Sequence, residues 1–316
     1  MHVAVVIPAF NIASFLPTTV QSVLEQTHRD WSLVIVDDGS TDATATVGAR
    51  LEDERVRLIR RSNSGVSAAR NAGIAAVLAG HMGSPSIEGL PDALMFLDGD
   101  DWLAPAALGL LAEALENAPW AAAAVGRYAR VDSNAVARLS PAPARGCLLE
   151  RLLTRNLFAN GGHVLIRREA IEVAGDFRSD LVYGEDWEYW TRLAAVGEFV
   201  SVPSRSPLLF VREHLAGAYL SRATDPGAYR PALKAIYGNP GLAERLGTAR
   251  LAALGRRAEA EMAWTVGREL VRHGRQREGL RWLGRSFRKA PSLNRLILMG
   301  LSRLRSGPFR PYRTAT

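Results

Sequence analysis

"MFLDGDDWLAP", residues 95–105, places three carboxylates within four positions directly after an apolar run. The run ends at Leu97, and the carboxylates belong to Asp98, Asp100 and Asp101. Like charges this close repel one another, and a protein tolerates them mainly where a cation neutralises them. The stretch therefore predicts a buried strand that delivers acidic side chains to a cation at its carboxyl end.

Two earlier stretches have the same form. "VAVVIPAFN", residues 3–11, begins with an unbroken apolar run, and "WSLVIVDDGSTDAT", residues 31–44, contains an apolar run at residues 33–36; both runs are followed by polar groups. Such runs are typical of strands covered on both faces, and helical spacing follows each of them. We therefore predict βαβ units in an α/β fold with a mostly parallel sheet, whose ligands collect at the carboxyl ends of the strands. The residues that fall there are Asn11, Asp37, Asp38, Asp98 and Asp100.

The pattern changes beyond residue 105. "AAAAVGRYARV", residues 121–131, predicts a strand, and residues 132–146 predict a polar loop. An aromatic-rich helix is expected to begin near Glu185, and short strands follow it. Residues 80–92 are rich in Gly, Ser and Pro and predict an exposed excursion. From about residue 225 onward the spacing predicts helices alone.

The composition is that of an ordinary soluble globular protein, with 316 residues of which 47% are hydrophobic and 22% are charged. No apolar run approaches the roughly 20 residues that span a bilayer, and the N-terminal run lacks the features of a signal peptide. The single cysteine, Cys147, excludes an internal disulfide framework and fits a reducing compartment. We therefore expect a cytoplasmic protein.

The net charge of +7 is unevenly distributed. Residues 250–316 hold 16 Lys and Arg against 4 Asp and Glu, so this segment carries +12 and residues 1–249 carry −5. Such a basic tail can meet an anionic membrane surface or an acidic partner, or it can be a solvated helical surface. A nucleic-acid partner is not expected, because the tail contains no recognisable nucleic-acid-binding module.

Several other site chemistries lack their signatures. The first strand is not followed by G-x-G-x-x-G, and the chain has neither a G-x-x-x-x-G-K-[ST] loop nor a G-x-S-x-G elbow. Its six histidines and one cysteine have no zinc-ligand spacing. An oxygen-rich site suited to Mg²⁺ or Mn²⁺ remains. Because Mg²⁺ typically takes one or two protein carboxylates, the turn at residues 98–100 fits a metal that bridges a diphosphate.

Five motifs stand in order along the chain: "VVIPAFN", "LVIVDDGSTD", "NSGVSAARNAGI", "FLDGDDW" and "GEDWEYWTRL". Their order and approximate spacing resemble those of the family 2 glycosyltransferases, which are nucleotide-sugar-dependent enzymes. The resemblance covers residues 2 to about 215. It implies the GT-A fold, in which a Rossmann-like, mostly parallel central sheet is flanked by helices.

Matched by position, the resemblance implies a role for each motif. Nucleotide-sugar contacts fall on Pro8, Ala9, Phe10, Asn11, Asp37, Asp38, Ser40, Asn63, Gly65, Arg70, Asp98 and Gly99. Metal contacts fall on Asp100 and Asp98, and Arg212 and His214 in "FVREH" match a segment that closes on the diphosphate, with His214 as a further metal candidate. Glu185 and Asp186 match the catalytic acidic pair, and Gly184 and Trp187 beside them are acceptor candidates. Asp101 is interpreted as solvated, or as a residue behind the metal ligands.

The family's chemistry gives these groups a purpose. A metal on Asp100 offsets the charge that develops on a leaving diphosphate. Asp186, the second residue of its pair, takes the proton of the acceptor hydroxyl. The resemblance implies a single displacement with inversion. Two positions depart from the family pattern, because Phe10 stands where the family often has Tyr, and Val66 stands where it commonly has Gly.

The tail has apolar residues at helical spacing over residues 263–287. A break at Gly274 and an end at Pro291 predict two antiparallel helices. The pair resembles one tetratricopeptide-like unit. Because a stable array usually needs about three such units, the alternative interpretation is a helical appendage that packs on the catalytic domain. "LNRLILMGLSRLRSGPFRPYR" mixes apolar and basic residues as an interfacial helix does, and a helical core element is the other interpretation.

We therefore predict a GT-A catalytic domain over residues 1–222, with a nucleotide-sugar-binding half (1–105) and an acceptor half (106–222), and a basic all-α region over residues 223–316. The predicted function is inverting sugar transfer to a saccharide or lipid-linked acceptor, in cell-surface polysaccharide or glycolipid synthesis. The tail could place the protein peripherally on the inner face of the plasma membrane. The alternatives are a catalytically silent GT-A scaffold that recruits partners through its tail, and a sugar nucleotidyltransferase, which normally needs a Gly-rich basic loop near the N-terminus.

Overall fold

The computed structural model of the chain divides into two compact units. It describes residues 1–81, 89–213 and 222–304. The first unit comprises residues 1–149 and 157–214, and the second comprises residues 150–156 and 215–316. Most of the excursion predicted at residues 80–92 lies outside the described residues, and so does His214.

Strands and short helices alternate along the chain as far as residue 213. The strands are β1 (Val3–Ala9), β2 (Trp31–Asp37), β3 (Val56–Arg60), β4 (Ala93–Phe96), β5 (Trp102–Leu103), β6 (Ala121–Val125), β7 (Tyr128–Val131), β8 (Ala137–Leu139), β9 (Val164–Arg167), β10 (Glu198–Ser201) and β11 (Leu209–Arg212). The helices are α1 (Leu16–Leu24), α2 (Thr44–Ala49), α3 (Val66–Leu78), α4 (Ala107–Glu116), α5 (Leu149–Leu152), α6 (Arg168–Ala174) and α7 (Glu185–Val196), with a 3₁₀ turn at Gly161–His163.

Seven strands form the central sheet of the first unit, in the order β10-β6-β9-β4-β1-β2-β3. The strands pair in parallel except for β9, which runs antiparallel to both β4 and β6. Every residue of β1 and β2 is buried, as expected for unbroken apolar strands that are covered on both faces. The predicted α/β fold with a mostly parallel sheet is therefore confirmed.

The register of the central strands brings the predicted polar segments to one edge. Ala9 of β1 pairs with Asp37 of β2, and Val6 of β1 pairs with Phe96 of β4. Parallel strands present their carboxyl ends on the same edge of a sheet. The loops that follow residues 9, 37 and 96 therefore begin side by side.

The sequence did not predict a second sheet, which has four strands in the order β5-β11-β7-β8. The stretch "AAAAVGRYARV", predicted as one strand, divides at Gly126 into β6 of the central sheet and β7 of the second. A Cβ on Gly126 would lie 2.4 Å from Cδ1 of Leu208, so the chain passes too close to that side chain for any residue but glycine. The predicted loop at residues 132–146 contains β8, whose residues are all exposed.

Helix α3 packs closely against β1 because a glycine lies at their contact. A Cβ on Gly73 would lie 2.3 Å from Cγ1 of Val6. Arg70, about one turn earlier in the same helix, is buried as well. The close packing of α3 on the sheet therefore brings a cationic side chain into the interior of the first unit.

The second unit contains helices in all of its described segments. They are α8 (Pro226–Tyr237), α9 (Pro240–Leu246), α10 (Thr248–Arg272), α11 (Gln276–Lys289) and α12 (Leu293–Leu304). Helices α10 and α11 form the predicted antiparallel pair, joined by a turn in which Gly274 has a φ of +79°. A Cβ on Gly279 would lie 2.7 Å from the carbonyl oxygen of Gly267, so the two backbones are in direct contact. Within the described residues, no helix combines the length and the apolar character needed to cross a membrane.

Candidate active site

Asp38, at the start of the loop after β2, organises the neighbouring loop after β3. Its carboxylate accepts a hydrogen bond from the backbone N–H of Gly65 at 2.7 Å and lies 3.1 Å from Nε of Arg61. The loops approach so closely that a Cβ on Gly39, which has a φ of +75°, would lie 2.7 Å from the backbone nitrogen of Asn63. The predicted donor residues Asp38, Asn63 and Gly65 are thus brought together, with the Asp38 carboxylate used to hold the loop.

Asp37 differs from Asp38 because part of its carboxylate is left without a hydrogen bond. Its side chain is 1% exposed, and its Oδ1 accepts the backbone N–H of Ser40 at 3.1 Å. Its buried Oδ2 accepts no hydrogen bond from any described residue, although Nε of Arg60 lies 3.5 Å away. A buried oxygen without a donor is costly, so this atom is a natural acceptor for a ligand group.

Asn11 joins the loops that follow β1 and β2. Its backbone N–H donates to Oγ of Ser40 at 3.0 Å, and its side-chain oxygen accepts the N–H of Thr41 at 2.8 Å. Asn11 adopts a φ of +52°, a left-handed conformation that asparagine tolerates better than most residues. Asn11 and Ser40, both predicted to contact the donor, are therefore hydrogen-bonded to each other.

The acidic turn after β4 packs on the end of β1. A Cβ on Gly99 would lie 2.2 Å from Cδ1 of Ile12 and 3.2 Å from the carbonyl oxygen of Pro8, so the lack of a side chain permits this close approach. Pro8 and Ala9 are buried within β1, whereas Phe10, the next residue, is 48% exposed. Of these three residues predicted to contact the nucleotide sugar, Phe10 presents the largest accessible side chain at this edge.

Arg70 links the acidic turn to the beginning of α7. Its guanidinium donates to Oδ1 of Asp98 at 2.9 Å and to Oε1 of Glu185 at 3.2 Å, and it lies 5.2 Å from the ring centre of Phe177. Burial lowers the pKa of Arg70, but the charges of Asp98 and Glu185 outweigh that effect, so the net direction is upward. Burial also raises the pKa of Asp98, and Arg70 opposes that shift. Two predicted site residues far apart in the chain thus share one cation.

Asp101 is buried, with an exposure of 2%, so of its two interpretations the solvated residue is wrong and the residue behind the metal ligands remains. Its Oδ1 accepts the backbone N–H of Arg212 at 2.8 Å, and its Oδ2 accepts the side-chain amide of Asn160. Burial and the nearby charges of Asp100 and Asp98 raise the pKa of Asp101 well above its ordinary value. Asp101 therefore connects the acidic turn to two later segments of the chain. Sequence reasoning missed Asn160, whose only local signal is the turn-forming pair "NG".

Arg212 lies beside the acidic turn. Its Nε donates to the carbonyl oxygen of Asp100 at 3.0 Å, and its guanidinium lies 5.0 Å and 4.8 Å from the ring centres of Phe15 and Trp102. Contact with two aromatic rings and a carbonyl holds the cation at the turn. His214, predicted as a metal candidate, lies outside the described residues.

The acidic pair opens helix α7. Gly184 precedes the helix with a φ of +77°, and Glu185 is its first residue. Asp186 is half-buried, and its Oδ1 accepts the backbone N–H of Trp187 at 2.6 Å. Carboxylates in the first turn of a helix are favoured by the helix dipole. Trp187, predicted as an acceptor contact, is only 6% exposed, so little of its ring is accessible.

The acidic turn is suited to a metal that a diphosphate helps to hold. Among the residues that the structure describes, no group of three or more His, Cys, Asp or Glu side chains is arranged to hold a metal by itself. Mg²⁺ and similar hard cations need only one or two protein carboxylates when phosphate and water complete their shell. Asp100, half-buried and close to Asp98 in the same turn, provides oxygen ligands of this kind.

A mostly parallel sheet with carboxylates at its carboxyl edge, followed by an acidic pair on a later helix, matches the GT-A fold expected from the sequence. The chain belongs to glycosyl transferase family 2, whose sequence profile matches residues 4–174. Similar proteins include the uncharacterized glycosyltransferase EpsJ of Bacillus subtilis (strain 168), which is 31% identical over 116 residues, or 36% of this chain and 30% of EpsJ. The putative teichuronic acid biosynthesis glycosyltransferase TuaG of the same organism is 42% identical over 72 residues, or 22% of this chain and 29% of TuaG. The chain thus matches less than a third of the length of these relatives.

Solved structures of other proteins share the fold. S. aureus TarS 1–349 superposes with a TM-score of 0.63 at 15% identity, covering 96% of this chain and 87% of that one. The mannosyltransferase PcManGT from Pyrobaculum calidifontis, in complex with GDP-Man and Mn²⁺, superposes with a TM-score of 0.57 at 17% identity, covering 96% of this chain and 79% of that one. At these identities the likeness establishes the fold alone.

Proposed function

We propose that this chain transfers a sugar from a nucleoside-diphosphate donor to an acceptor hydroxyl, with inversion at the anomeric carbon. The observation that carries the proposal is the position of Arg70, which links Asp98 of the acidic turn to Glu185 at the start of α7. This link supports a single site for the donor phosphates and the acidic pair. Complexes of the structural neighbours with UDP-GlcNAc and GDP-Man also favour a nucleotide sugar as donor.

The nucleoside of the donor would lie against the loops that follow β1, β2 and β3. The buried Oδ2 of Asp37 can accept a hydrogen bond from a ribose hydroxyl or a base N–H. Phe10, at 48% exposure, offers an aromatic face at the same edge. Asn63 and Gly65 would complete this wall, because Asp38 holds their loop against Gly39.

Asp100 and Asp98 would hold Mg²⁺ or Mn²⁺, which supplies positive charge for the leaving diphosphate when bound. The Mn²⁺ in the PcManGT complex supports this choice of cation. Asp186 would accept the proton of the acceptor hydroxyl while its oxygen attacks the anomeric carbon from the face opposite the diphosphate. Glu185, already paired with Arg70, would fix the start of α7 so that Asp186 faces the acceptor.

The acceptor would be a saccharide or a lipid-linked group that approaches beside Gly184 at the start of α7, where the largely buried Trp187 would support the site from behind. Several relatives are named for polymer synthesis, including TuaG and the chondroitin synthase of Pasteurella multocida (strain Pm70). They favour a role in cell-surface polysaccharide or glycolipid synthesis. For the location we propose the cytoplasm, with the basic tail at the inner face of the plasma membrane.

The proposal is tested in two steps on the purified protein. Thermal-shift measurements with nucleoside diphosphates and sugar nucleotides, with and without Mn²⁺, should give a metal-dependent stabilisation that Asp100→Ala removes. Transfer assays with the stabilising donor should then show that Asp186→Asn lowers turnover by about 100-fold or more, the usual contribution of a positioned base. The matched control is Asp180→Asn, because Asp180 is 62% exposed and forms its ion pair with the surface residue Arg178. Absence of any nucleotide-dependent stabilisation would favour the silent scaffold.

A further inference from the structure

Helix α11 carries three arginines on one face. Arg281, Arg285 and Arg288 are all exposed, and their spacing of four and three residues places them along a single stripe. Within the described part of the chain, none of these three guanidinium groups forms an ion pair with a carboxylate. Their neighbours behave differently, because Lys289 pairs with Glu259 and Arg295 pairs with Glu261.

The stripe borders an apolar groove between α11 and α12. The groove has a volume of about 490 Å³, and its walls combine the three arginines with Leu280, Phe287 and Met299. It stays open at Gly284, where an added Cβ would meet no atom within 4 Å. A groove with cations on its rim and hydrocarbon at its floor fits a ligand that has an anionic head and an apolar body.

Helix α12 presents an apolar face to solvent in the same unit. Leu293, Leu296 and Ile297 are 71%, 51% and 50% exposed. Leu296 and Ile297 lie three and four residues after Leu293, which places all three on one side of the helix. Single exposed apolar residues are ordinary, but three on one helical face beside a basic helix form the pattern of an interfacial segment.

The charge of this region favours an anionic surface over a neutral one. Residues 250–316 carry a net charge of +12. Basic residues near an anionic leaflet are attracted to it, and exposed leucine and isoleucine side chains gain by entering the boundary between head groups and acyl chains. A nucleic acid or an acidic protein would also attract the arginines, but an anionic lipid supplies both the phosphate charge for the arginines and acyl chains for the apolar face of α12.

We propose that the α11–α12 groove binds the phosphate head group of an anionic membrane lipid. The arginines Arg281, Arg285 and Arg288 contact the phosphate, and Leu293, Leu296 and Ile297 enter the membrane interface. The proposal concerns the second unit and goes beyond the proposed sugar transfer, because it assigns a lipid site to residues that have no predicted role in that transfer.

Vesicle flotation of the full-length chain tests the lipid site without any sugar donor. The chain should float with vesicles of phosphatidylcholine and phosphatidylglycerol, but not with phosphatidylcholine alone. The triple variant Arg281→Gln, Arg285→Gln, Arg288→Gln should lower the partition coefficient about 100-fold, from roughly five-fold per arginine. The matched control replaces three exposed arginines on α9 and α10, Arg245→Gln, Arg256→Gln and Arg268→Gln, which removes the same charge and should change binding little.

A second pair of substitutions separates lipid from other polyanions. Leu296→Gln with Ile297→Gln changes side chains that are already exposed, so the fold is retained, and circular dichroism checks this. These substitutions should weaken binding to anionic vesicles and leave binding to heparin unchanged. Three results would each overturn the lipid site: no flotation with anionic vesicles, equal losses in the two arginine triples, or vesicle binding that is insensitive to the Leu296 and Ile297 substitutions. Since no donor is present, such failures would leave the proposed sugar transfer standing.

Discussion

Replacement of Arg70 by methionine should strongly destabilise the first unit. Methionine preserves most of the aliphatic volume of the side chain, but it leaves Asp98 and Glu185 without their shared cation. Removing one partner of a buried ion pair costs about 3–5 kcal/mol. The side chain of Asp98 is 30% exposed and that of Glu185 is 13% exposed, so both carboxylates keep some hydration and the lower end of the range applies. We therefore expect a loss of about 3 kcal/mol in the free energy of unfolding.

Scanning calorimetry detects this loss as a decrease in Tm. For a unit of this size, each kcal/mol lost from the free energy of unfolding lowers Tm by about 2–4 °C. The expected decrease is thus about 6–12 °C. Arg178→Met is the matched control, since Arg178 and Asp180 form a surface pair that is 45% and 62% exposed, and such pairs contribute about 0–1 kcal/mol. Arg70→Lys should give an intermediate loss, because one ammonium cannot span both carboxylates as a guanidinium does. If Arg70→Met lowers Tm no more than Arg178→Met does, Arg70 does not neutralise the pair as argued.

Three further predictions follow from other contacts. His163 donates from Nδ1 to the carbonyl oxygen of Gly126 at 2.9 Å, and burial lowers its pKa from 6.5 to about 4, so the unfolded chain binds the extra proton between these values. Stability should therefore fall as the pH drops from 6.5 to about 4, by roughly 3 kcal/mol in urea titrations, and His163→Gln should remove that part of the pH dependence. Gly279→Ala should destabilise the α10–α11 pair by about 1–3 kcal/mol, because the added Cβ meets the backbone of α10. Gly284→Ala in the same helix meets no atom and should stabilise the pair by up to about 1 kcal/mol. Equal effects of the two substitutions would argue against the backbone contact at Gly279. Asp101→Asn places a second amide against that of Asn160 and should lower the free energy of unfolding by about 1–3 kcal/mol in thermal melts. The control Asp132→Asn, on an exposed turn, should lower it much less.

The central sheet and its acidic edge were predictable from local patterns. Each of the runs before Pro8, Asp37 and Asp98 is apolar throughout, which is the signal of a strand buried on both faces. Parallel strands end on a common edge, so the polar groups that follow such runs were expected to lie together before any contact was known. The helical tail was also predictable from a local pattern, because its apolar residues recur at helical spacing and Gly274 marks the turn between two amphipathic segments.

The parts that the sequence did not predict depend on contacts between distant segments. Strand β8 is an exposed edge strand, so its residues have no hydrophobic alternation to distinguish them from a loop. Asp101 meets Asn160 and the backbone of Arg212 across 59 and 111 positions of the chain. No local pattern encodes such separations, so the sequence left open whether Asp101 is solvated or lies behind the metal ligands.

The hydrogen bonds of Asn11 have a thermodynamic consequence for the recognition of a donor. They tie the loops after β1 and β2 together within the folded chain itself. A loop that is ordered beforehand loses little conformational entropy when a ligand arrives, whereas each side chain immobilised on binding costs about 0.5–1.5 kcal/mol. The entropy of ordering this edge is lost during folding, so a nucleotide that binds as proposed would meet a surface of fixed shape.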